Sequence, residues 1–350
     1  MPFHQNRKVT LAALFLILAI LLPTACQSSN PATTTPSVTQ APTQNAAYAG
    51  KRILFVNSYH VGYAWSDGIE TGIHNVLDNT GIELRFVRLD TKNHADEDFR
   101  QQAGKAAKAE FDAFKPDVVI VSDDNAVRYF IVPCFQASNT PIVFTAINWD
   151  TSAYNFDKMP ITGLVEVDPI DQMVSDLSSY LKGSRVGYIT IDNESERKNA
   201  EAYRQRFFKG DMKSYMVKSY AEFKDAYLKA QAENDLVIIG NNAGSSDTWD
   251  GDKDATAFFT KNAKVPTGTI NAWMTPYTLL TVAKVPAELG EWSAQAALRI
   301  LDGTPVSSIP TAENKKAKLS VNLDIAKQLN IVFSPSILRN ADIYPPTSGK

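Results

Sequence analysis

From Lys51 onward, short β-branched and apolar runs alternate with stretches whose apolar residues recur every three or four positions. Ile53-Leu54-Phe55-Val56 predicts a buried strand, and Ile69, Ile73, Val76 and Leu77 mark one face of a helix after it. Residues 84–89 return as a strand, and Phe99, Ala103, Ala106, Ala107, Phe111 and Phe114 stripe a second helix. Val118-Val119-Ile120-Val121 comes next, then a helix from about Asn125, then Ile142-Val143-Phe144. A second block repeats the alternation, with strands over 161–167, 186–191, 215–217 and 236–239 and helices at 170–181, 194–208 and 221–232. A last helix, 288–301, buries Ala294, Ala297, Leu298 and Leu301 and ends at Gly303, which suits a helix C-terminus. Runs that are apolar on both faces and separated by helices predict parallel strands covered on both sides. The fold class is therefore α/β, built as two doubly wound parallel-sheet lobes.

The first fifty residues have another pattern. His4, Arg7 and Lys8 precede an apolar stretch from Leu11 to Leu22. It is shorter than the roughly 20 residues that span a bilayer, so residues 1–25 read as an export signal. Residues 26–49 are mostly Ser, Thr, Pro, Gln, Asn and Ala, which cannot bury a core and predict a flexible tether. About twenty such residues span roughly 25 Å, enough to lift a domain off a membrane.

In open α/β sheets a ligand sits beyond the carboxyl ends of the strands, so the residues just past each strand carry the functional signal. The first strand runs into Ser58, Tyr59, Tyr63 and Trp65, the third into Asp123, Asp124 and Asn125, and the fourth into Thr145, Asn148 and Trp149. The second block offers Asp192 and Asn193, Asn241 and Asn242, then Asn271 and Trp273. All are polar, aromatic or acidic. Tyr59, Tyr63 and Trp65 would make an aromatic floor for a planar or cationic guest, or else pack between lobes. Trp149 and Trp273 would either touch the ligand or pack at a joint in the chain. Asp123 and Asp124 begin a helix, where one carboxylate would cap free amides and the other would pair with a ligand amine. Asp192 and Asn193 would do the same from the far lobe. Thr145, Asn148, Asn241, Asn242 and Asn271 suit hydrogen bonding without chemistry.

Composition removes several alternatives. The chain has 350 residues, 44% of them apolar, and a net charge of −3, which offers no basic face for nucleic acid. Two cysteines, Cys26 and Cys134, and four scattered histidines predict neither a disulfide framework nor a metal site. Cys134, in an apolar neighbourhood, reads as a small buried residue. The G-x-S-x-G, G-x-x-x-x-G-K-[ST] and G-x-G-x-x-G patterns are missing, so no enzyme and no cofactor is expected.

Thr24-Ala25-Cys26 resembles the lipobox of bacterial lipoproteins, although Pro23 stands where that pattern places its leucine, Leu22 lying one position further away. The resemblance implies lipidation at Cys26. Ile53 to Ser66, Pro141-Ile142-Val143-Phe144-Thr145, Ile161-Thr162-Gly163 and Glu288-Leu289-Gly290-Glu291-Trp292 together resemble ABC-transporter substrate-binding proteins of the type I periplasmic binding fold. The subfamily holding tryptophan and tyrosine binders is the most similar. The resemblance implies two lobes joined by a three-strand hinge, with crossings near 148–161, 271–276 and 303–318. Lobe 1 is then expected at 50–148 and 277–305, and lobe 2 at 149–276 and 306–350. It also implies a monomer, anchored to the membrane by lipid, that traps a small polar, aromatic or amine-bearing molecule and hands it to an ABC permease. Ser122-Asp123-Asp124-Asn125 departs from the neutral turn of many relatives, so the ligand need not transfer. Two other readings are a ligand-sensing partner of a membrane receptor and an extracellular α/β hydrolase.

Overall fold

The computed structural model describes residues 46–242 and 253–346. The expected signal segment, Cys26 and the tether as far as residue 45 lie outside the described residues. The tether's last positions depart from the expectation. Tyr48 is docked on the first lobe, its amide donating to Thr80 O (3.1 Å) and its hydroxyl to the Asp302 carboxylate (3.0 Å).

The first half of the chain lays down β1 (Arg52–Asn57), α1 (Ala64–Leu77), β2 (Glu83–Arg88), α2 (Glu97–Phe114), β3 (Val118–Ser122) and α3 (Asp123–Ala126). A π-helical turn (Val127–Ile131) carries the chain into α4 (Val132–Cys134), then β4 (Ile142–Asn148) and β5 (Ile161–Glu166). The second block gives α5 (Ile170–Leu177), β6 (Val186–Ile191), α6 (Glu194–Arg206), β7 (Met212–Val217), α7 (Tyr220–Glu233), β8 (Leu236–Ile239), α8 (Lys253–Asn262), β9 (Thr267–Thr269) and β10 (Leu280–Lys284). The chain then returns through α9 (Pro286–Leu301) and β11 (Ala312–Glu313) before ending on β12 (Ala317–Asn322), α10 (Leu323–Leu329), α11 (Pro335–Asn340) and β13 (Ala341–Tyr344).

Two sheets result. The first runs β11-β5-β4-β3-β1-β2 and is parallel throughout. The second runs β13-β12-β10-β9-β8-β6-β7. It departs from the all-parallel expectation at one place, where β12 pairs antiparallel with β10. In both sheets the first strand lies between the second and third, which creates a switch point: β1 beside β3, and β6 beside β8. Ile53, Leu54, Phe55 and Val56 are fully buried, as are Val118 to Val121, so helices cover both faces of the first sheet.

The lobe boundaries need correction. Residues 149–166 were expected in lobe 2, yet β5 pairs with β4 in the first sheet, and Tyr154 and Met159 are buried in the first core. Residues 277–285 were expected in lobe 1, yet β10 pairs with β9 and β12, burying Leu280 and Val282 in the second core. Residues 306–313 belong to the first sheet through β11, with Thr162 Oγ1 donating to Ile309 O (2.7 Å). Strand partners decide these memberships, and apolar period does not encode partners. The chain therefore crosses at residues 167–169, 285 and 314–316. Asn314 ties the first and third crossings together: its Oδ1 accepts from Val167 N (2.7 Å) and its Nδ2 donates to Val167 O (3.1 Å).

Helices α1 and α9 touch at backbone level because glycines face each other. A Cβ on Gly72 would stand 2.1 Å from Ala287 O, and one on Gly290 would stand 2.0 Å from Ile69 O. The start of α1 then carries Trp65 to the end of β10, beside Lys284. Cys134 is only half-buried and free, and burial pushes its thiol pKa up, away from nucleophilic use.

Candidate functional site

The cleft-facing edge of the first sheet is strained. Asp90, Asp123, Ala146 and Trp149 all have positive φ, at 52°, 69°, 58° and 71°. They stand beyond β2, at the end of β3, within β4 and just beyond it. Ala146 lies where the β4–β5 register shifts between Thr145 and Ile147. Left-handed backbone outside glycine costs energy and persists where the surroundings over-determine it, as at ligand sites.

Three of the predicted residues here do structural work. Ser58 is fully buried; its hydroxyl donates to Ser122 O (2.8 Å) and accepts from Ala126 N (2.7 Å), clamping the ends of β1 and β3. Asn125 donates to Thr91 Oγ1 (2.9 Å). Thr145 is fully buried with its hydroxyl aimed at Leu289 O (3.3 Å). The capping expectation for the aspartates also fails. Ser122, not an aspartate, precedes α3, and no side chain caps it. Asp124 accepts instead from Asn148 N (3.2 Å), Asn148 Nδ2 (2.7 Å) and the Tyr154 hydroxyl.

The rest of the first-lobe set does assemble. Tyr59 and Tyr63 meet edge to face with ring centroids 5.2 Å apart. Lys92 Nζ lies 5.1 Å from the centroid of one ring and 4.7 Å from the other, and donates to the Tyr63 hydroxyl (3.1 Å). Asp123 is 3% exposed at the switch point, and its Oδ2 accepts from Ser122 Oγ (2.6 Å). Burial, with Glu166 and Asp124 adding like charge, pushes its carboxyl well above the ordinary range, against a smaller pull from the Ser122 hydroxyl. Burial first, then Asp123, Tyr63, Asp124 and Glu166, hold the Tyr59 hydroxyl protonated.

Trp65 is held differently. Lys284 Nζ sits 5.2 Å from the centroid of its ring and is paired with Glu166 and with Asp168 (2.5 Å). Tyr203 donates to the other oxygen of Asp168 (2.6 Å). Desolvation opposes the Lys284 charge, but the two carboxylates outweigh it and hold the ammonium above its ordinary pKa. Glu166 is raised by its burial despite Lys284. Glu166, Asp168, Lys284, Lys92 and Tyr154 were not among the predicted residues. A signal existed for two of them: Glu166 and Lys284 each end an apolar strand with a charge.

In the second lobe, Asp192 pairs with Arg197, and Asn193 caps α6 by accepting from Glu196 N (2.9 Å). Both thus have partners within their own lobe. Asn241 takes its place by backbone bonds, its amide donating to Thr190 Oγ1 (3.1 Å). Asn242 Oδ1 accepts from Trp273 Nε1 (3.1 Å), and Trp273 remains 51% exposed. Asn271 is buried, and its amide N–H donates to Thr269 Oγ1 (3.1 Å).

The two tip sets meet beside the hinge. Lys198 on α6 lies 3.8 Å from Asp124 and donates to Asn148 O (3.2 Å). Trp149 inserts its ring into the second core against Tyr203 and Phe207, and its Nε1 donates to Asn199 Oδ1 (2.9 Å). It packs as a joint between the lobes. A cavity of about 560 Å³, lined by Trp149, Lys198, Glu201 and Arg206 among others, opens on this flank. Among the described residues, no group of histidine, cysteine or carboxylate side chains could hold a metal ion.

The family model for ABC transporter substrate binding proteins matches residues 64–344, most of the chain. The chain belongs to that family. Proteins of this family bind a small ligand and work with permease components. Solved structures agree on the type I periplasmic binding fold. One is a ligand-free, open substrate-binding protein with adhesive properties from Clostridium difficile, with TM-score 0.63 and 18% identity over 85% of this chain and 100% of that one. Another is the ABC domain in complex with L-Trp from Streptococcus pneumonia, with TM-score 0.56 and 17% identity over 84% of this chain and 99% of that one. A third is a solute-binding protein from Agrobacterium vitis bound with α-D-tagatopyranose, with TM-score 0.52 and 13% identity over 83% of this chain and 99% of that one. At these identities the likeness concerns the fold. No curated protein matches the chain.

Proposed function

We propose that this substrate-binding protein is an exported lipoprotein, anchored through Cys26, that closes its lobes on a small aromatic or amine-bearing molecule and passes it to an ABC permease. The observation that carries the ligand class is the grouping of Tyr59 and Tyr63 with the carboxylates Asp123 and Asp124 at the switch point of the first sheet, with Glu166 at the end of β5 acting on Tyr59. Aromatic faces and carboxylates attract an ammonium group together, each ring contributing ~0.5–2 kcal/mol. The binding residues we assign are Tyr59, Tyr63, Trp65 and Asp123, faced by Asn242, Asn271 and Trp273 from the second lobe. Closure is stabilised only by a ligand's greater affinity for the closed form.

A thermal-shift screen of amino acids, arylalkylamines, sugars and nucleobases, followed by calorimetry, tests the reading. Saturable binding of an aromatic or amine compound is expected. A screen in which only sugars bind would refute the ligand class, and one in which nothing binds would refute the solute-binding role.

A further inference from the structure

Helix α6 belongs to the second lobe, yet one of its faces lies on the first. Glu196, Ala200 and Tyr203 are its buried residues, and Glu196 accepts from Thr190 Oγ1 on β6 (2.8 Å), which fixes that side to its own sheet. The neighbouring face carries Lys198, Asn199 and Arg206, and each reaches the first lobe. Lys198 donates to Asn148 O (3.2 Å) and stands 3.8 Å from Asp124. Asn199 Oδ1 accepts from Trp149 Nε1 (2.9 Å). Arg206 donates to Trp149 O (3.4 Å) and to Glu313 (2.9 Å). Between them the Tyr203 hydroxyl donates to Asp168 on the first crossing (2.6 Å). Apart from Asp124, these partners stand at or just past the ends of β4, β5 and β11, which are adjacent strands at one edge of the first sheet. Thus α6 covers one half of that sheet's cleft edge.

The contacts along α6 are unequal. Lys198 is 49% exposed and Arg206 41%, and exposed ion pairs contribute little. Trp149 contributes more. Its backbone belongs to the first lobe, where its amide donates to Glu166 O (3.0 Å), while its ring is buried in the second core against Tyr203 and Phe207. Parting the lobes here would return an indole, on the order of 200 Å² of surface, to water and break its bond to Asn199. The other half of the edge, at β1 and β2, has no such tie: among the described residues, the hydrogen bonds and ring contacts of Tyr59, Tyr63 and Lys92 stay within the first lobe.

We propose that α6 is the axle of the lobe motion: the second lobe turns about this helix with the Trp149 ring seated in its core, so the cleft opens over β1 and β2 and stays joined over β4, β5 and β11. The crossings lie where such an axle needs them, since a peptide chain cannot stretch and must cross near the axis of rotation. Trp149 bonds to Glu166, the last residue before the first crossing, and Arg206 to Glu313, the last before the third. Lys284, the last before the second, pairs with Glu166 and Asp168. This deepens the binding role proposed above by giving the guest one entrance, past Tyr59 and Tyr63.

Pulsed electron–electron double resonance on the ligand-free protein tests the axle with two label pairs, the native cysteines being replaced by serine. Ala153→Cys and Gln205→Cys, both exposed, span it between the β4–β5 connection and α6. Val61→Cys and Lys218→Cys, also exposed, span the mouth. The mouth distances should spread at least about twice as widely as the axle distances. Trp149→Ala should widen the axle spread about twofold or more. Equal spreads for the two pairs without that substitution, or a folded Trp149→Ala protein whose axle spread is unchanged, overturns the axle. The comparison of the two pairs decides by itself should Trp149→Ala fail to fold. No ligand is present, so an overturned axle leaves the solute-binding reading standing, whereas failure of the ligand screen leaves the axle untouched.

Discussion

Lys284 joins the lobes by charge, and removing its ammonium gives a large effect whose sign with pH is set. Its side chain is 12% exposed and holds Glu166 (9% exposed) and Asp168 (3% exposed). In Lys284→Met the two carboxylates remain buried without their cation. Breaking a buried pair from one side costs roughly 3–5 kcal/mol. An unfolding entropy of about 2.1 cal/mol/K per residue over roughly 300 folded residues is about 0.6 kcal/mol/K, so the expected drop in Tm is about 5–8 °C. Burial already raises Glu166 despite Lys284. Without the lysine its folded pKa rises further above the unfolded value. The folded state then binds the extra proton, and the variant loses stability as pH rises through that window. The deficit should be smallest near about pH 4.5 and largest above neutrality. Scanning calorimetry at the two extremes reads it directly. A triple variant, Glu166→Gln, Asp168→Asn and Lys284→Met, should recover most of the loss, because the stranded charges go with their partner. A drop below about 1 °C, or the same drop at both pH values, would refute the assignment of Lys284 as the buried counter-ion.

Asp123→Asn should remove one proton from the fall in wild-type stability with rising pH, a slope of up to about 1.4 kcal/mol per pH unit above the unfolded carboxylate range. Melts of both proteins across pH check it, and parallel slopes would contradict the raised Asp123 pKa. Gly72→Ala should push α1 from α9, since its Cβ would stand 2.1 Å from Ala287 O; about 1–3 kcal/mol of overpacking, visible as a lower Tm, outweighs any gain in helix propensity. Cys26→Ser should shift the expressed protein from the detergent phase to the aqueous phase in Triton X-114 partition; unchanged partition would rule out lipidation at Cys26.

Periodicity carried the fold a long way. Runs such as Val118–Val121, apolar at every position, could only be doubly covered strands, and their polar exits pointed to Asp123, Asp124 and Tyr59. What stayed hidden was pairing. Glu166 and Lys284 are 118 residues apart, and nothing local says that β5 and β10 end side by side. The lobe boundaries went wrong for the same reason, since nothing in the residues of β10 and β11 says which sheet each joins. Polar exits also misled where the backbone itself needed them. Ser58 and Thr145 serve buried carbonyls, and Asn193 serves a helix N-terminus. A strand end needs such partners whether or not a ligand binds there. The left-handed backbone at Asp123 has no sequence mark, because aspartate tolerates that conformation without requiring it.

Spin labels on Val61→Cys, at the first-lobe rim, and Lys218→Cys, just past β7, with the native cysteines replaced by serine, report the separation of the two lobes by pulsed electron–electron double resonance. On saturation with the compound that binds best in the screen, the distance distribution should narrow and move several ångström shorter. An unchanged distribution at saturation would contradict a cleft that clamps its guest.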